Sequence, residues 1–152
     1  EMAAQTSEGM RDIVWFIKPK HDTLDDLIVK MKETAASHLR EIAWSFEAPR
    51  SDGSASMAIE FKRNVYLAFK EILTNVTRHA GASRVEIGIT IDDGGFAMKV
   101  SDDGKGFDTQ SSYPGNGLAS LQKRARSLGG SCTFASRPGG GTPVTFTART
   151  EG

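Results

Sequence analysis

Three sets of residues in this chain have types and spacings that could do chemistry. The first is Glu71, Asn75 and Arg78, four and then three residues apart. On a helix such residues are neighbours and form one polar stripe. A carboxylate and an amide oxygen, with a guanidinium one turn on, suit a hydrated magnesium bound to phosphates. The same spacing also describes an ordinary solvated helix face, and spacing alone leaves both readings open. The second set centres on Asp102, which continues the row Phe96, Met98, Val100 at period two. A carboxylate closing an apolar row needs a partner, because burying it unpaired costs roughly several kcal/mol. Asp103-Gly104-Lys105-Gly106 then turns sharply away, so the carboxylate would floor a pocket and accept a hydrogen bond. Thr142 opens a second inward row with Val144, Phe146 and Ala148, and its hydroxyl is phased to support such a site. A strand-ending Asp before a turn, with no ligand, would look the same.

The third set is Gly115-Asn116-Gly117, directly before a helix that starts at Leu118. Free N–H groups at a helix start attract phosphate, and glycine allows close approach. Lys123, Arg124 and Arg126 add positive charge, though some of them must face solvent. A lone Gly-x-Gly is a weak signal. It is not the phosphate loop that ends in Gly-Lys-Ser/Thr. Nor does it directly follow a strand, which argues against a dinucleotide fold.

The elements that must carry these sets are legible from periodicity. Leu24, Leu27, Ile28, Met31 and Ala35 recur at helical spacing behind a start capped by Thr23 and Asp26. Ile42, Trp44 and Phe46 alternate as a half-buried strand, and residues 49–56 are a loop. The longest helix covers residues 58–80, with Phe61, Val65, Ala68, Ile72 and Val76 as its buried stripe and Gly81 to end it. A hairpin follows: Val85, Ile87, Ile89, Ile91, a turn at residues 92–95, then Phe96 onward. Residues 118–128 form an amphipathic helix through Leu118, Leu121, Ala125 and Leu128, ended by Gly129-Gly130. A last hairpin joins strands at 131–136 and 142–148 through Arg137-Pro138-Gly139-Gly140. Paired strands with helices on one face predict a two-layer α/β sandwich. Residues 10–18 read as the end of an earlier helix, stopped by Pro19.

Composition bounds the function. With 152 residues the chain suits one domain, and 19 basic against 19 acidic residues give no net charge. That argues against a nucleic-acid partner. A single cysteine, Cys132, excludes an internal disulfide and a cysteine zinc site; it reads as a small core residue in a reducing, cytoplasmic setting. No apolar run of about 18 residues spans a membrane, and no signal-peptide pattern opens the chain. Its first residue is Glu, which suggests a fragment and leaves open a parent anchored in the inner membrane.

Together, in order, the motifs carry a resemblance. Lys70-Glu71-Ile72-Leu73-Thr74-Asn75-Val76-Thr77-Arg78-His79-Ala80 resembles the N box of histidine kinases. Val100-Ser101-Asp102-Asp103-Gly104-Lys105-Gly106-Phe107 looks like their first glycine box, with Asp103 where Asn is common. Gly115-Asn116-Gly117-Leu118 through Leu128-Gly129-Gly130 looks like the second, and Gly141-Thr142-Pro143-Val144 resembles the closing Gly-Thr motif. The resemblance spans residues 57–149. It is to the Bergerat-fold superfamily that also holds gyrase, MutL and the ninety-kilodalton heat-shock chaperone, and within it most to the nitrate-sensor and thermosensor kinase branch.

The resemblance implies a mixed, mostly antiparallel sheet of about five strands under about three helices, and the cofactors ATP and magnesium. It implies Glu71 and Asn75 as catalytic residues and magnesium holders, and Arg78 and His79 near phosphate or ribose. Asp102 would accept from the adenine amino group, with Thr142 bonding to Asp102 or to a bound water. Gly104, Gly106, Gly115, Gly117 and Leu118 would shape the pocket and its lid, about Asp108 to Asn116. None of His21, His38 or His79 has the acceptor histidine's setting. The expected organisation is therefore residues 1–20 as a linker ending a dimerising helix and 21–152 as the catalytic domain. It would phosphorylate a histidine on an acceptor domain of its own homodimeric parent, upstream of a response regulator, and would be inactive alone. The alternatives are an anti-sigma serine kinase, a non-catalytic nucleotide-binding module of the same fold, or a purely structural α/β domain.

Overall fold

The computed structural model describes residues 24–49, 58–77, 82–92, 94–104, 118–134 and 143–149. The predicted helix end at 10–18, the cap Thr23, the turn at 137–140 and the terminator Gly81 lie outside the described residues. Three helices are described: α1 (Leu24–His38), α2 (Ile59–Asn75) and α3 (Leu118–Ser127). Five strands accompany them: β1 (Ala43–Glu47), β2 (Arg84–Asp92), β3 (Gly95–Asp102), β4 (Cys132–Phe134) and β5 (Val144–Arg149). They form one sheet in the order β1-β2-β3-β5-β4. Only the β1–β2 pair is parallel. A parallel pair needs a long crossover, and α2 lies within it.

Alternation decides which face of the sheet is covered. Val85, Ile87 and Ile89 on β2, Phe96, Met98 and Val100 on β3, and Val144, Phe146 and Ala148 on β5 are all buried. Glu86, Thr90, Lys99 and Thr133, which point the other way, are exposed. Onto the apolar face the helices bring Leu27, Met31 and Ala35 from α1, Val65, Ala68 and Ile72 from α2, and Leu121 and Ala125 from α3, in one continuous cluster. The result is the two-layer α/β sandwich that the pattern predicts.

Turn chemistry closes the elements. The β2–β3 hairpin pairs Asp92 with Gly95, so Gly95 belongs to the strand rather than to the turn. Gly94 alone of the two takes a positive φ, 80°, which suits the right-handed twist of a tight hairpin. Helix α3 ends with the Gly130 N–H on the Ala125 carbonyl at 2.8 Å and the Gly129 N–H on the Arg126 carbonyl at 3.0 Å. Gly129 has φ 75°. This left-handed glycine cap satisfies carbonyls that the helix cannot. It also drops the chain against β5, where the Arg149 N–H reaches the Leu128 carbonyl at 2.9 Å.

Two aromatic pairs set α2 across the sheet. Phe61 meets Phe96 edge-on at 5.4 Å between centroids, and Phe69 meets Phe46 at 6.2 Å. Each contributes about 0.5–1.5 kcal/mol beyond its buried area. Helix α1 is fastened to α2 by a buried bond, Thr34 Oγ1 to Tyr66 Oη at 2.8 Å.

Candidate functional site

The aromatic pairs fix the direction of α2 over the strands. Phe46 is in register with Ile87, and Ile87 with Val100. Passing from the Phe61–Phe96 contact to the level of Phe69 therefore advances eight residues of helix and four of strand. At ~1.5 Å and ~3.3 Å per residue these are about 12 and 13 Å, so α2 advances in the direction of β3 while crossing from above β3 toward β1. Carrying both forward, Val100 to Asp102 adds ~7 Å and Phe69 to Asn75 adds ~9 Å. The last turn of α2 thus lies toward the same end of the sheet as Asp102, on the β1 side. Asn75 sits at a change in the helix, since residues 76–77 continue in a wider, π-type turn.

Helix α3 arrives from the other side. Arg124 Nη1 donates to Asn64 Oδ1 at 3.1 Å, and Ser120, one turn earlier on α3, acts on the carboxyl of Glu71, two turns later on α2. Forward along α2 is thus backward along α3, and the two helices are antiparallel. The start of α3, at Leu118, points to the end where Asn75 and Asp102 lie. The end of α2, the end of β3 and the start of α3 thus lie toward the same end of the sandwich.

The carboxylates differ. Glu71 is half-buried; burial pushes its carboxyl above the usual range, while the Ser120 bond and then the Arg124 charge pull it back. Asp102 is half-buried at the end of the inward row and accepts from the Gly104 N–H at 2.8 Å. Gly104 itself is buried. Asp103 is exposed and clamps the start of β2. Its Oδ1 accepts the Ser83 and Arg84 N–H groups at 2.8 and 2.9 Å, and its Oδ2 accepts the Ser83 hydroxyl at 2.6 Å. These bonds, the Ser83 hydroxyl first, hold the Asp103 carboxyl below its ordinary value. The turn carrying Asp102 and Gly104 is thereby pinned to the neighbouring strand. Cys132 is buried on β4, as a core residue should be. Its thiol is pushed up to about 12 by burial and then by the Glu71 charge, so it stays protonated and inert.

Of the residues singled out from sequence, the described structure joins Asp102 to Gly104 and carries Glu71, Asn75 and the start of α3 at Leu118 toward the same end of the sandwich. Arg78, His79, Gly106, Gly115, Gly117 and Thr142 lie outside the described residues, as does the lid at 108–116. Sequence reasoning missed Asn64, Ser120 and the inward course of Arg124; a helical-wheel count placing 120 and 124 beside the apolar 121 and 125 was the available signal. It also missed Lys62, which is wholly buried. Among the described residues no three His, Cys, Asp or Glu side chains gather as a metal cage. A carboxylate and an amide oxygen one helical turn apart fit an ion that keeps waters and phosphate oxygens as its other ligands, as magnesium does.

A mixed five-stranded sheet with three helices on one face defines an open α/β sandwich. Comparison with known families identifies it. Residues 62–152 match the family described as histidine kinase-, DNA gyrase B-, and HSP90-like ATPase, and the chain belongs to that family. Among similar proteins, the sensor histidine kinase LiaS of Bacillus subtilis is 29% identical over 94% of this chain and 39% of its own length. The nitrate/nitrite sensor protein NarQ of Escherichia coli is 32% identical over 62% of this chain and 17% of its own length. The chain therefore spans well under half of these relatives. Among solved structures, the histidine kinase domain of the Erythrobacter litoralis blue-light activated kinase superposes with TM-score 0.69 at 19% identity, over 82% of this chain and 61% of that one. The ATP binding domain of PrrB from Mycobacterium tuberculosis gives 0.65 at 19% identity, over 86% and 96%. At such identities these structures speak to the fold.

Proposed function

We propose that this chain is the catalytic, ATP-binding domain of a two-component sensor histidine kinase. It would transfer the γ-phosphoryl group of magnesium ATP to a histidine on a dimerisation domain of the same parent protein. The observation that carries this reading is the family match over residues 62–152, supported by a sheet whose β3 ends in Asp102 with its carboxylate turned onto the Gly104 N–H. Asp102 accepts from the adenine amino group, its carboxylate already oriented by the Gly104 N–H at 2.8 Å. Asn75 and Glu71 hold magnesium and its waters, and the ion neutralises phosphate charge when bound. Arg78 and His79 reach phosphate or ribose, Gly106, Gly115 and Gly117 line the lid, and Thr142 supports Asp102. In the transfer the bond from the γ-phosphorus to the β–γ bridging oxygen breaks. A bond to the acceptor imidazole nitrogen forms, and ADP leaves. The protein's part is positioning and charge stabilisation rather than covalent chemistry.

On this reading residues 21–152 are the catalytic domain and 1–20 a linker. The parent works as a homodimer with its kinase domain in the cytoplasm, and a response regulator receives the phosphoryl group. The test is incubation of the chain with γ-labelled ATP. The chain alone binds ATP and stays unlabelled, because without a positioned acceptor the transfer loses most of its rate. A separate fragment bearing the acceptor helix gains an acid-labile, base-stable label. Acid-labile label on the isolated chain, at His21, His38 or His79, would overturn the separation of acceptor from catalyst.

A further inference from the structure

Helices α1 and α2 leave between them a polar cavity of about 140 Å³, whose wall includes Lys30, Glu33, Thr34, His38, Tyr66 and Lys70. It lies on the side of α2 away from α3. Asn64 meets Arg124 of α3, whereas Tyr66, two residues on and so about 200° round the helix, meets Thr34 of α1. The floor of the cavity is fixed. Thr34 Oγ1 donates to the Lys30 carbonyl at 3.0 Å, so in its 2.8 Å bond with Tyr66 the tyrosine hydroxyl is the donor. Thr34 and Tyr66 are both buried. A carbonyl only accepts, so His38 Nδ1 donates its proton to the Thr34 carbonyl at 3.0 Å. Around this locked ring stand two ammonium groups, one from each helix. Lys30 Nζ is 6.0 Å and Lys70 Nζ 5.8 Å from the Tyr66 centroid, distances at which a cation is attracted to a ring face. Both lysines are half-buried. Among the described residues Glu33 is the one carboxylate of the wall, against two lysines.

We propose that this cavity is a second ligand site, separate from the nucleotide site, that takes a phosphate-type dianion between Lys30 and Lys70. The ligand is free phosphate or the phosphoryl group of a small metabolite. Charge, geometry and size each favour it. Such a group carries close to two negative charges at neutral pH, which two ammonium groups balance. Lysine binds phosphate as a point charge with three rotatable donors, so the two side chains need no fixed fork to share its oxygens. The protons of Tyr66, Thr34 and His38 Nδ1 go to protein acceptors, which leaves the ammonium groups as the recognition element and the ring as their platform. A volume of about 140 Å³ is room for four or five waters at about 30 Å³ each, enough for a tetrahedral oxyanion. It is too small for a whole nucleotide, since pockets for drug-sized ligands run to about 300–1,000 Å³.

The test is a titration of the 152-residue chain with inorganic phosphate, without nucleotide, in chloride buffer held at about 0.15 M ionic strength. Backbone amide NMR shifts locate the binding. Saturable shifts are expected in residues 30–38 and 66–70. Lys30→Gln and Lys70→Gln each weaken phosphate binding by about tenfold, as loss of a hydrogen bond to a charged group does. Lys32→Gln is the control. It removes the same charge from the same helix, but Lys32 Nζ stands 5.6 Å over the Phe46 ring and is not part of the cavity wall, so phosphate affinity is unchanged. Thermal melts check that each variant is folded. Glycerol 3-phosphate in place of phosphate separates the two sources: tighter binding of the ester points to a metabolite, and equal or weaker binding to free phosphate. Acetate at the same ionic strength leaves both segments unshifted. Shifts that do not saturate, shifts confined to the start of α3, an equal loss from Lys32→Gln, or acetate binding as well as phosphate would each overturn the proposal.

Discussion

At the scale of single residues, the two aspartates of the first glycine box do different work. Asp102 ends an apolar row and takes the Gly104 N–H, whereas Asp103 turns outward and ties two strand ends together through Ser83 and Arg84. Asp102→Asn presents a group that also donates to a ligand amino donor. The expected cost in ATP affinity is about 1–3 kcal/mol, that of an unmet buried polar group, with the fold kept because an amide oxygen can still accept from Gly104. Calorimetry that finds unchanged affinity removes Asp102 from the site. On the proposed function, Asn75→Ala deletes an oxygen ligand of magnesium. Magnesium-dependent strengthening of ATP binding then shrinks while metal-free binding changes less; equal losses with and without magnesium would make Asn75 structural. Asp103 gives a pH signature. Its folded carboxyl titrates below the unfolded one, so its stabilising effect is present above the unfolded pKa and is lost as pH falls through the folded one. Melting temperature should drop on acidification below about pH 4. Asp103→Asn, which keeps an acceptor for both N–H groups, should flatten that fall, measured by calorimetric melts across the acid range. Much of this chemistry is legible in sequence, because period-two rows and helical spacing fix which face a residue takes. The inward course of Arg124 is only half legible, from its place on the helical wheel beside Leu121 and Ala125. Four basic or polar residues crowd Gln122 to Arg126, and only packing against Asn64 decides which of them turns inward.

At the scale of elements, the helices and strands follow from where apolar residues recur, and their boundaries from glycine. The strand expected at 42–46 runs Ala43–Glu47, and the strand expected from 142 is described from Val144. Such shifts arise because the ladder partner, not the strand's own sequence, sets where pairing begins: Ala43 pairs with Arg84. The sheet order was not legible, since nothing in a single strand says that β5 must lie between β3 and β4. The Gly129-Gly130 pair shows two reasons for one residue type. Gly129 needs the left-handed backbone, at φ 75°, and an alanine there strains by about 1–2 kcal/mol. At Gly130 a Cβ would stand 1.9 Å from the Thr147 carbonyl oxygen, a backbone atom that moves only if β5 moves. Gly130→Ala should therefore destabilise the chain more than Gly129→Ala, read as the larger shift in urea midpoint. The reverse order would show that the close approach relaxes easily.

At the scale of the whole molecule, one polar face and one covered face make a half-open sandwich whose chemistry lies along its edge. No described helix is long and apolar enough to cross a membrane. Among the described strands, β5 pairs with β3 on one side and supplies the only partner of β4 on the other. A truncation that removes Val144–Arg149 should abolish the cooperative unfolding transition, seen by circular dichroism during denaturant titration; a residual sharp transition would mean that β1–β3 and the helices form a core without it. The same topology bears on how the chain is made. Synthesis is vectorial, and everything before residue 144 emerges from the ribosome with the β3 edge unpaired and β4 with nothing to pair to. The growing polypeptide must therefore wait, its Phe96–Met98–Val100 row open to chaperones and to neighbouring nascent chains. Only when the final strand clears the exit tunnel can the nucleotide edge be assembled, so translation itself times the appearance of a competent domain.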